Sequence, residues 1–226
     1  MPAVLAVFFL LYLIFFTDFF KISDVMIEGN QITESEVIKK TLPIGDNIFL
    51  LSSSQLQKQI LEKIPEIKDA RVYKGFPDAL KVVVLEYSQS LIWKSNQRFY
   101  LVSSEGYIYR DVTDEVDKYS TLPRVEDNSN LNFEQRSKIT SAIFVSFVQN
   151  IRNNFFSTVN IEPDYFYITE STFDLNLKTK AGFVVKFDTL RSSKKQLEDL
   201  KKVLAEKRDQ IQEYVDLRVD GWAYYK

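Results

Sequence analysis

Hydrophobic residues change their spacing three times along this chain. From Pro2 to Phe16 they run uninterrupted by any charge, and six of the 18 Phe fall within the first twenty residues. Carried through Thr17 and Asp18 to Phe20, the run predicts a transmembrane anchor over residues 1–20. About 20 residues at ~1.5 Å rise match a hydrocarbon core of ~30 Å. Two alternatives stand beside it. A cleavable signal peptide would need a basic stretch before the run and small residues after it, and neither is present. A buried core helix would have to be apolar on every face.

Beyond the run, shorter periods take over. Ile22 to Glu28 alternates as a strand with Val25 and Ile27 inward, closed by a Gly29-Asn30 turn. Thr33 and Glu36 form a T-x-x-E capping box for a short helix carrying Val37, Ile38, Thr41 and Leu42, ended by Pro43 and Gly45. Asn47 to Leu50 reads as an extended link. Ser53 or Ser54 caps a second helix with Leu56, Ile60, Leu61 and Ile64 on one stripe, stopped by Pro65. Strands Ile67–Lys74 and Ala79–Glu86 then flank a hairpin turn at residues 75–78.

From residue 91 the pattern becomes strand-rich. Phe99–Val102 and Tyr107–Tyr109 flank a four-residue loop, Leu122–Val125 is extended, and Glu126–Asn132 is a polar link. Glu134–Asn153 predicts a helix through Ile139, Ile143, Phe147 and Ile151, backed by Phe144 and Val148. Strands follow at Tyr165–Glu170, Thr172–Lys180 (Phe173, Leu175 and Leu177 inward) and Phe183–Asp188. Ser192 or Ser193 opens a helix reaching to about Tyr214, with Leu190, Leu197, Leu204 and Ile211 seven apart and Leu200 beside them. That spacing fits a coiled-coil seam, but the stripe is short, which favours a helix packed on its own sheet. Residues 214–225 predict a terminal strand.

The order strand, helix, helix, strand, strand over residues 21–90 resembles a POTRA domain. The resemblance rests on Gly29-Asn30, Asn47-Ile48-Phe49, Pro65-x-Ile67 and Phe76-Pro77 in that order and spacing. Adding the anchor, the segment from Trp93 to Arg110, Leu122–Val125 and the closing Tyr214–Lys226, the chain is similar to the FtsQ/DivIB family of bacterial cell-division proteins. The fold expected is therefore α+β: an N-terminal transmembrane helix, a POTRA domain (βααββ), and a mostly antiparallel β domain with two packed helices over residues 91–226. The resemblance implies a non-catalytic bitopic membrane scaffold of the divisome with residues 21–226 extracytoplasmic. It also implies recruitment of FtsB/DivIC-like and FtsL-like proteins, with the lipid bilayer met through residues 2–20. A POTRA-containing outer-membrane assembly or polypeptide-transport component is the alternative, although such chains carry a long barrel.

Composition narrows the chemistry. Net charge is −2, from 29 basic and 31 acidic residues, which leaves no basic excess for nucleic acid. The chain contains neither His nor Cys, which removes thiol nucleophiles, His-dependent triads and Cys/His metal sites. No cofactor and no small-molecule substrate are expected. Asp111, Asp114, Glu115 and Asp117 cluster as a membrane-tethered carboxylate hydrolase would require, but in a polar stretch that also reads as a solvated loop.

Partner binding is the better use of the chain's end. An edge strand can accept a partner strand, and Trp222, Tyr224 and Tyr225 are residue types enriched in interface hot spots. Arg218 would offer a bidentate handle for a partner carboxylate. By the resemblance, Arg218 and Val219 fall within the family's FtsB/DivIC-binding surface; the alternative is that these aromatics complete the core. In the POTRA domain, Arg71, Val72 and Tyr73 form a second candidate edge, which its flanking charges equally suit to resisting aggregation.

Overall fold

The computed structural model describes residues 2–226, apart from the side chains of Pro2, Ala3 and Leu10. It divides into two units at Tyr87/Ser88.

In the first unit, helix α1 spans Pro2–Phe16 and stops short of the expected residue 20. Thr17 is extended, its hydroxyl donating to the Leu13 carbonyl at 2.5 Å, and a single 3-10 turn follows at Asp18–Phe20. Fifteen residues reach only ~22 Å. Among the described residues, no helix is long and apolar enough to cross a membrane.

The remainder of this unit has the βααββ order. Strand β1 (Asp24–Glu28) pairs in parallel with β3 (Ala79–Glu86), which pairs antiparallel with β2 (Ile67–Gly75), giving the order β1-β3-β2. Helices α2 (Ser35–Lys39) and α3 (Ser53–Lys63) contribute Ile38, Leu56 and Ile60 to a core with Val72, Leu80, Val82 and Val84. Gly29 takes φ +88°, and a Cβ there would stand 2.1 Å from the Val84 carbonyl oxygen, so the turn requires glycine.

Several local expectations give way here. The Thr33–Glu36 capping box does not form: α2 begins after Glu34, with no side-chain cap, and Val37 is exposed. The turn before it is instead held from β3, where the Glu86 carboxylate accepts the backbone N–H groups of Gln31, Ile32 and Thr33 at 2.8, 2.7 and 2.8 Å. Helix α3 is capped one residue early, by Ser52. Asn47–Leu50 is not extended but a 3-10 turn, with the Asn47 side chain accepting from the Phe49 N–H at 2.9 Å.

The second unit is one nine-stranded sheet in the order β12-β11-β10-β9-β8-β7-β4-β5-β6. Its strands are β4 (Leu91–Ser95), β5 (Arg98–Val102), β6 (Ile108–Asp111), β7 (Arg124–Asp127), β8 (Pro163–Ile168), β9 (Asp174–Thr179), β10 (Val184–Asp188), β11 (Tyr214–Asp216) and β12 (Tyr224–Tyr225). Pairing is antiparallel except at β4–β7, β7–β8 and β10–β11. Helices α4 (Ala142–Val159) and α5 (Ser193–Lys207) supply Phe144, Phe147, Val148, Ile151, Phe155, Leu197, Leu200 and Leu204 to the core against the sheet.

Strand β4 escaped the sequence pattern because Leu91, Ile92 and Trp93 are all buried, a continuous run without alternation. Its hairpin turn uses Asn96 and Gln97, both at positive φ, in place of a glycine. Trp93 donates Nε1–H to Asp127 at 3.3 Å and packs edge-on against Phe144.

Helix α4 lies C-terminal to its expected place, because Ser141 rather than residue 134 caps it, accepting from the Phe144 N–H at 3.1 Å. The residues before it pair with β6. Ile108 N–H donates to the Ser137 carbonyl at 3.0 Å, Arg136 N–H to Ile108 at 2.7 Å and Ile139 N–H to Gly106 at 3.0 Å. Ile143 is consequently exposed. Helix α5 ends at Lys207 rather than near Tyr214. Leu190 lies outside it and is exposed, while Leu197 and Leu204 face the core, so the heptad is a packing stripe. Phe173 precedes β9 and is exposed rather than inward.

Burial alone would raise the Glu86 pKa, but the N–H donors led by Ile32 outweigh it and hold the carboxyl below its ordinary value. A group with a depressed folded pKa stabilises the fold above its unfolded value, ~4.3, and loses that contribution as pH falls through the folded one. Glu86→Gln should therefore cost about 1 kcal/mol at neutral pH, the low end for a charged, partly solvated acceptor. The loss should shrink on acidification, as read by urea unfolding at each pH.

Candidate partner-binding edge

The predicted terminal strand is two short strands and a turn. β11 enters beside β10, the chain reverses through residues 217–223, and β12 returns antiparallel to β11 with Val215 opposite Tyr225 and Asp216 opposite Tyr224. Lys226 N–H donates to the Tyr214 carbonyl at 3.1 Å, and the Lys226 carbonyl accepts from Tyr214. Antiparallel ladders alternate, so Tyr224 and Lys226 turn their backbone groups toward β11 while those of Tyr225 point to the open side.

Charge pairs hold the reversal. Asp220 receives the Arg191 guanidinium, and Lys195 Nζ at 2.7 Å; the Lys195 hydrogen bond is the main reason its carboxyl lies below the usual range. Arg191 also donates to the Leu217 carbonyl at 2.8 Å. Arg218 is not a free handle for a partner. It donates Nε–H and Nη2–H to the two oxygens of Asp216 at 2.9 and 2.7 Å, and Nη1 lies 3.3 Å from Asp174. Burial pushes the Asp216 carboxyl up, yet the Arg218 donors prevail and it lies below its ordinary value, while the guanidinium pKa is raised chiefly by its hydrogen bond to Asp216.

What the pinned turn leaves outward is apolar. Val219 is 48%, Trp222 68% and Tyr224 53% exposed, so Trp222 and Tyr224 do not complete the core. Tyr225 is partly covered and donates its hydroxyl hydrogen to Gln210 at 3.0 Å. Trp222 and Tyr225 also line a groove of about 320 Å³ against Val203, Glu206 and Lys207 of α5. The aromatic side chains thus lie on both faces of the β12 edge, since Tyr225 shares the face of buried Val215 and Tyr224 that of Asp216.

The sheet's other edge is treated in the opposite way. The start of β6 is covered by the segment 135–140, whose backbone pairs with Ile108 and with Gly106 before it and whose Gln135 amide donates to the Tyr109 carbonyl at 2.9 Å. In the first unit, β2 is an edge strand as expected. Val72, however, is buried in the core, so only its backbone faces the edge. Arg71 lies 3.6 Å from Asp69, and Tyr73 is exposed.

The acidic cluster does not gather paired carboxylates. Asp111 accepts from the N–H and hydroxyl of Thr113 and lies 3.5 Å from Arg98, while Glu115 is engaged by Arg110 and by Lys118 at 2.8 Å. Among the described residues, no group of three or more His, Cys, Asp or Glu is placed to hold a metal ion.

A double-mutant cycle of Asp216→Asn and Arg218→Ala should give a coupling of about 1 kcal/mol at neutral pH, modest because the pair is partly solvated. Because the folded Asp216 pKa is depressed, the coupling is present above ~3.9 and disappears as pH falls through the folded value, which thermal unfolding across that range would read.

Comparison with known proteins agrees with this architecture. Residues 20–87 match the FtsQ-type POTRA domain, and residues 91–218, more than half the chain, match the C-terminal domain of cell division protein FtsQ/DivIB. Cell division protein FtsQ of Chloroflexus aurantiacus is 26% identical over 132 residues, covering 56% of this chain and 46% of that protein. FtsQ of Rickettsia felis is 32% identical over 90 residues, 39% of this chain and 33% of that protein. Cell division protein DivIB of Lactococcus lactis strain KF147 is 28% identical over 126 residues, 54% of this chain and 31% of that protein. The matches thus span less than half the length of these curated relatives. With both domain types found in sequence order on one chain, this protein belongs to the FtsQ/DivIB family of cell division proteins.

Proposed function

We propose that this chain is a non-catalytic, membrane-anchored scaffold of the bacterial division machinery. Its second unit adds a strand of a later division protein, of the FtsB/DivIC kind and with it an FtsL-like one, to the edge of β12. The observation that carries this reading is the contrast between the two sheet edges: β6 is capped at Ile108 and Tyr109 by its own chain, and β12 is open and flanked by Val219, Trp222 and Tyr224. In strand addition the backbone supplies affinity and the flanking side chains choose the partner. Arg218 serves this surface by shaping the turn. Strand β2, with Arg71, Tyr73 and the Val72 backbone, is the lesser candidate edge.

Anchoring is proposed through α1, with residues 21–226 outside the cytoplasm. Its support is a helix without a charged residue whose Val4, Leu5, Val7, Phe8 and Phe9 are all exposed, a surface that water disfavours on every side.

Tyr225→Pro separates the edge from the fold. It removes the outward N–H without removing a bond to β11, so partner binding should fall while the thermal midpoint changes little; Tyr225→Ala, which keeps the N–H, should retain more binding. Trp222→Ala and Tyr224→Ala should each weaken binding by about 2 kcal/mol, roughly thirtyfold. In cells, a photoreactive side chain at Val219, Trp222 or Tyr224 should yield a discrete adduct to a small coiled-coil membrane protein, with none from Asp111 at the other edge. No adduct at any terminal position would move the docking site elsewhere, and normal division after full depletion would remove the functional reading.

A further inference from the structure

The first unit exposes apolar residues at one end of its sheet. The start of β1, the turn between β2 and β3, and the 3-10 turn at Ile48–Leu50 meet there: Ser23 N–H donates to the Asp78 carbonyl at 3.0 Å, and Lys21 bridges to Asn47. On that end Phe19, Phe20, Phe49 and Phe76 form a chain of ring contacts with successive centroids 4.9, 5.0 and 5.0 Å apart. Leu50 beside them is 71% exposed, and Phe76 is 61% exposed. The opposite end of the same sheet is the turn at Gly29–Thr33, held by Glu86.

This platform is continuous with α1. The Asn47 amide donates to the Ile14 carbonyl at 2.5 Å, satisfying an acceptor in the last helical turn, and so fixes the helix end against the Ile48–Leu50 turn. Phe20 carries the ring chain from the helix side to Phe49. At the junction Lys21 Nζ lies 2.6 Å from Asp18, Lys74 donates to the Leu51 carbonyl at 2.5 Å, and the Asp78 carboxylate accepts from the Ser23 hydroxyl at 2.5 Å. The exposed apolar side chains of α1 and those of this platform thus follow one another along the chain through Phe19 and Phe20, so a bilayer that takes up the helix meets the platform at its C-terminal end.

We propose that this end of the POTRA domain is itself a lipid-docking surface, with Phe19, Phe49, Leu50 and Phe76 seated in the bilayer interface beside α1. The domain is then not a body swinging on a tether: its β1 axis is fixed relative to the membrane, with Gly29–Thr33 pointing away. The inference rests on α1 being the membrane anchor, and the test keeps the two apart. The occupant proposed is lipid; a transmembrane segment of another protein is excluded when the chain is alone in the vesicle.

The chain has no cysteine, so Val7→Cys, Leu50→Cys, Phe76→Cys and Ile32→Cys each supply a single site for an environment-sensitive fluorophore. All four side chains are exposed, and Ile32 is an apolar control at the far end, ~16 Å along a five-residue strand. The full chain would be reconstituted into phosphatidylethanolamine/phosphatidylglycerol vesicles. Quenching would be read with lipids carrying a nitroxide near the headgroup or deep in the acyl chain. Loss of fluorescence at Val7 with deep nitroxide, and at Leu50 and Phe76 with shallow nitroxide, but none at Ile32, is the expected result. Quenching at Val7 with Leu50 and Phe76 as bright as Ile32 overturns lipid docking and leaves the anchor standing. Equal quenching at Ile32 and Leu50 also overturns it, because contact would not be specific to that end. A bright Val7 removes the anchor, and lipid docking falls with it.

Discussion

An open sheet has two edges, and each edge carries backbone groups that must find partners or meet water. The nine-stranded sheet of the second unit is open, from β12 at one end to β6 at the other, so its edges are treated one by one. At β6 the chain spends residues 135–140 on covering the ladder, with Gly106 at φ +88° so close to the Thr140 carbonyl that a Cβ would stand 2.2 Å from it. At β12 no comparable segment of the described chain lies alongside. The difference between the two edges gives the unit one polarity and one place where another strand can continue the sheet.

That place is held in shape by charge and by core packing acting together. Val215 and Leu217 are buried, so β11 is fixed by the core formed with α4 and α5. The turn beyond it leaves its apolar side chains Val219 and Trp222 exposed, so burial does little to shape it. Its geometry comes from Asp220 with Arg191 and Lys195, and from Arg218 with Asp216 and Asp174. Arg218, which the sequence suggested for contact with a partner, is thus satisfied within the chain by Asp216 and Asp174, and the exposed side chains left at this edge are Val219, Trp222 and Tyr224. This division suits a docking edge: an internal ion pair is geometrically defined before binding, so less ordering remains to be done when a partner arrives.

Much of the fold was legible because alternation and breakers are local. Val82 and Val84, Leu175 and Leu177, Val185 and Phe187 all face inward as their spacing indicates. The elements that were misplaced are those decided by distant groups. Glu86 captures the turn that a Thr33–Glu36 box would have capped, 53 residues away. The β6 ladder takes the backbone of residues 136–139 out of the helix that Ile139 and Ile143 suggest. β4 is buried on both faces and therefore shows no alternation. At the candidate site, aromatic identity and terminal position were readable from the sequence, whereas the reversal at residues 217–223 was not. It depends on Arg191 and Lys195, which lie 29 and 25 residues from Asp220 along the chain. The burial of Val72 follows from simple alternation, so its side chain was readable as core from the start.

The central claim is that β12 is the edge at which a partner strand adds. Amide hydrogen exchange of the full chain, alone and with the DivIC- or FtsB-like protein proposed as its partner, tests it without altering a residue. The account predicts new protection at residues 223–226 on complex formation, with no change at Ile108–Asp111. Protection gained at Ile108–Asp111, or a bound complex in which residues 223–226 exchange as fast as in the free chain, would contradict it.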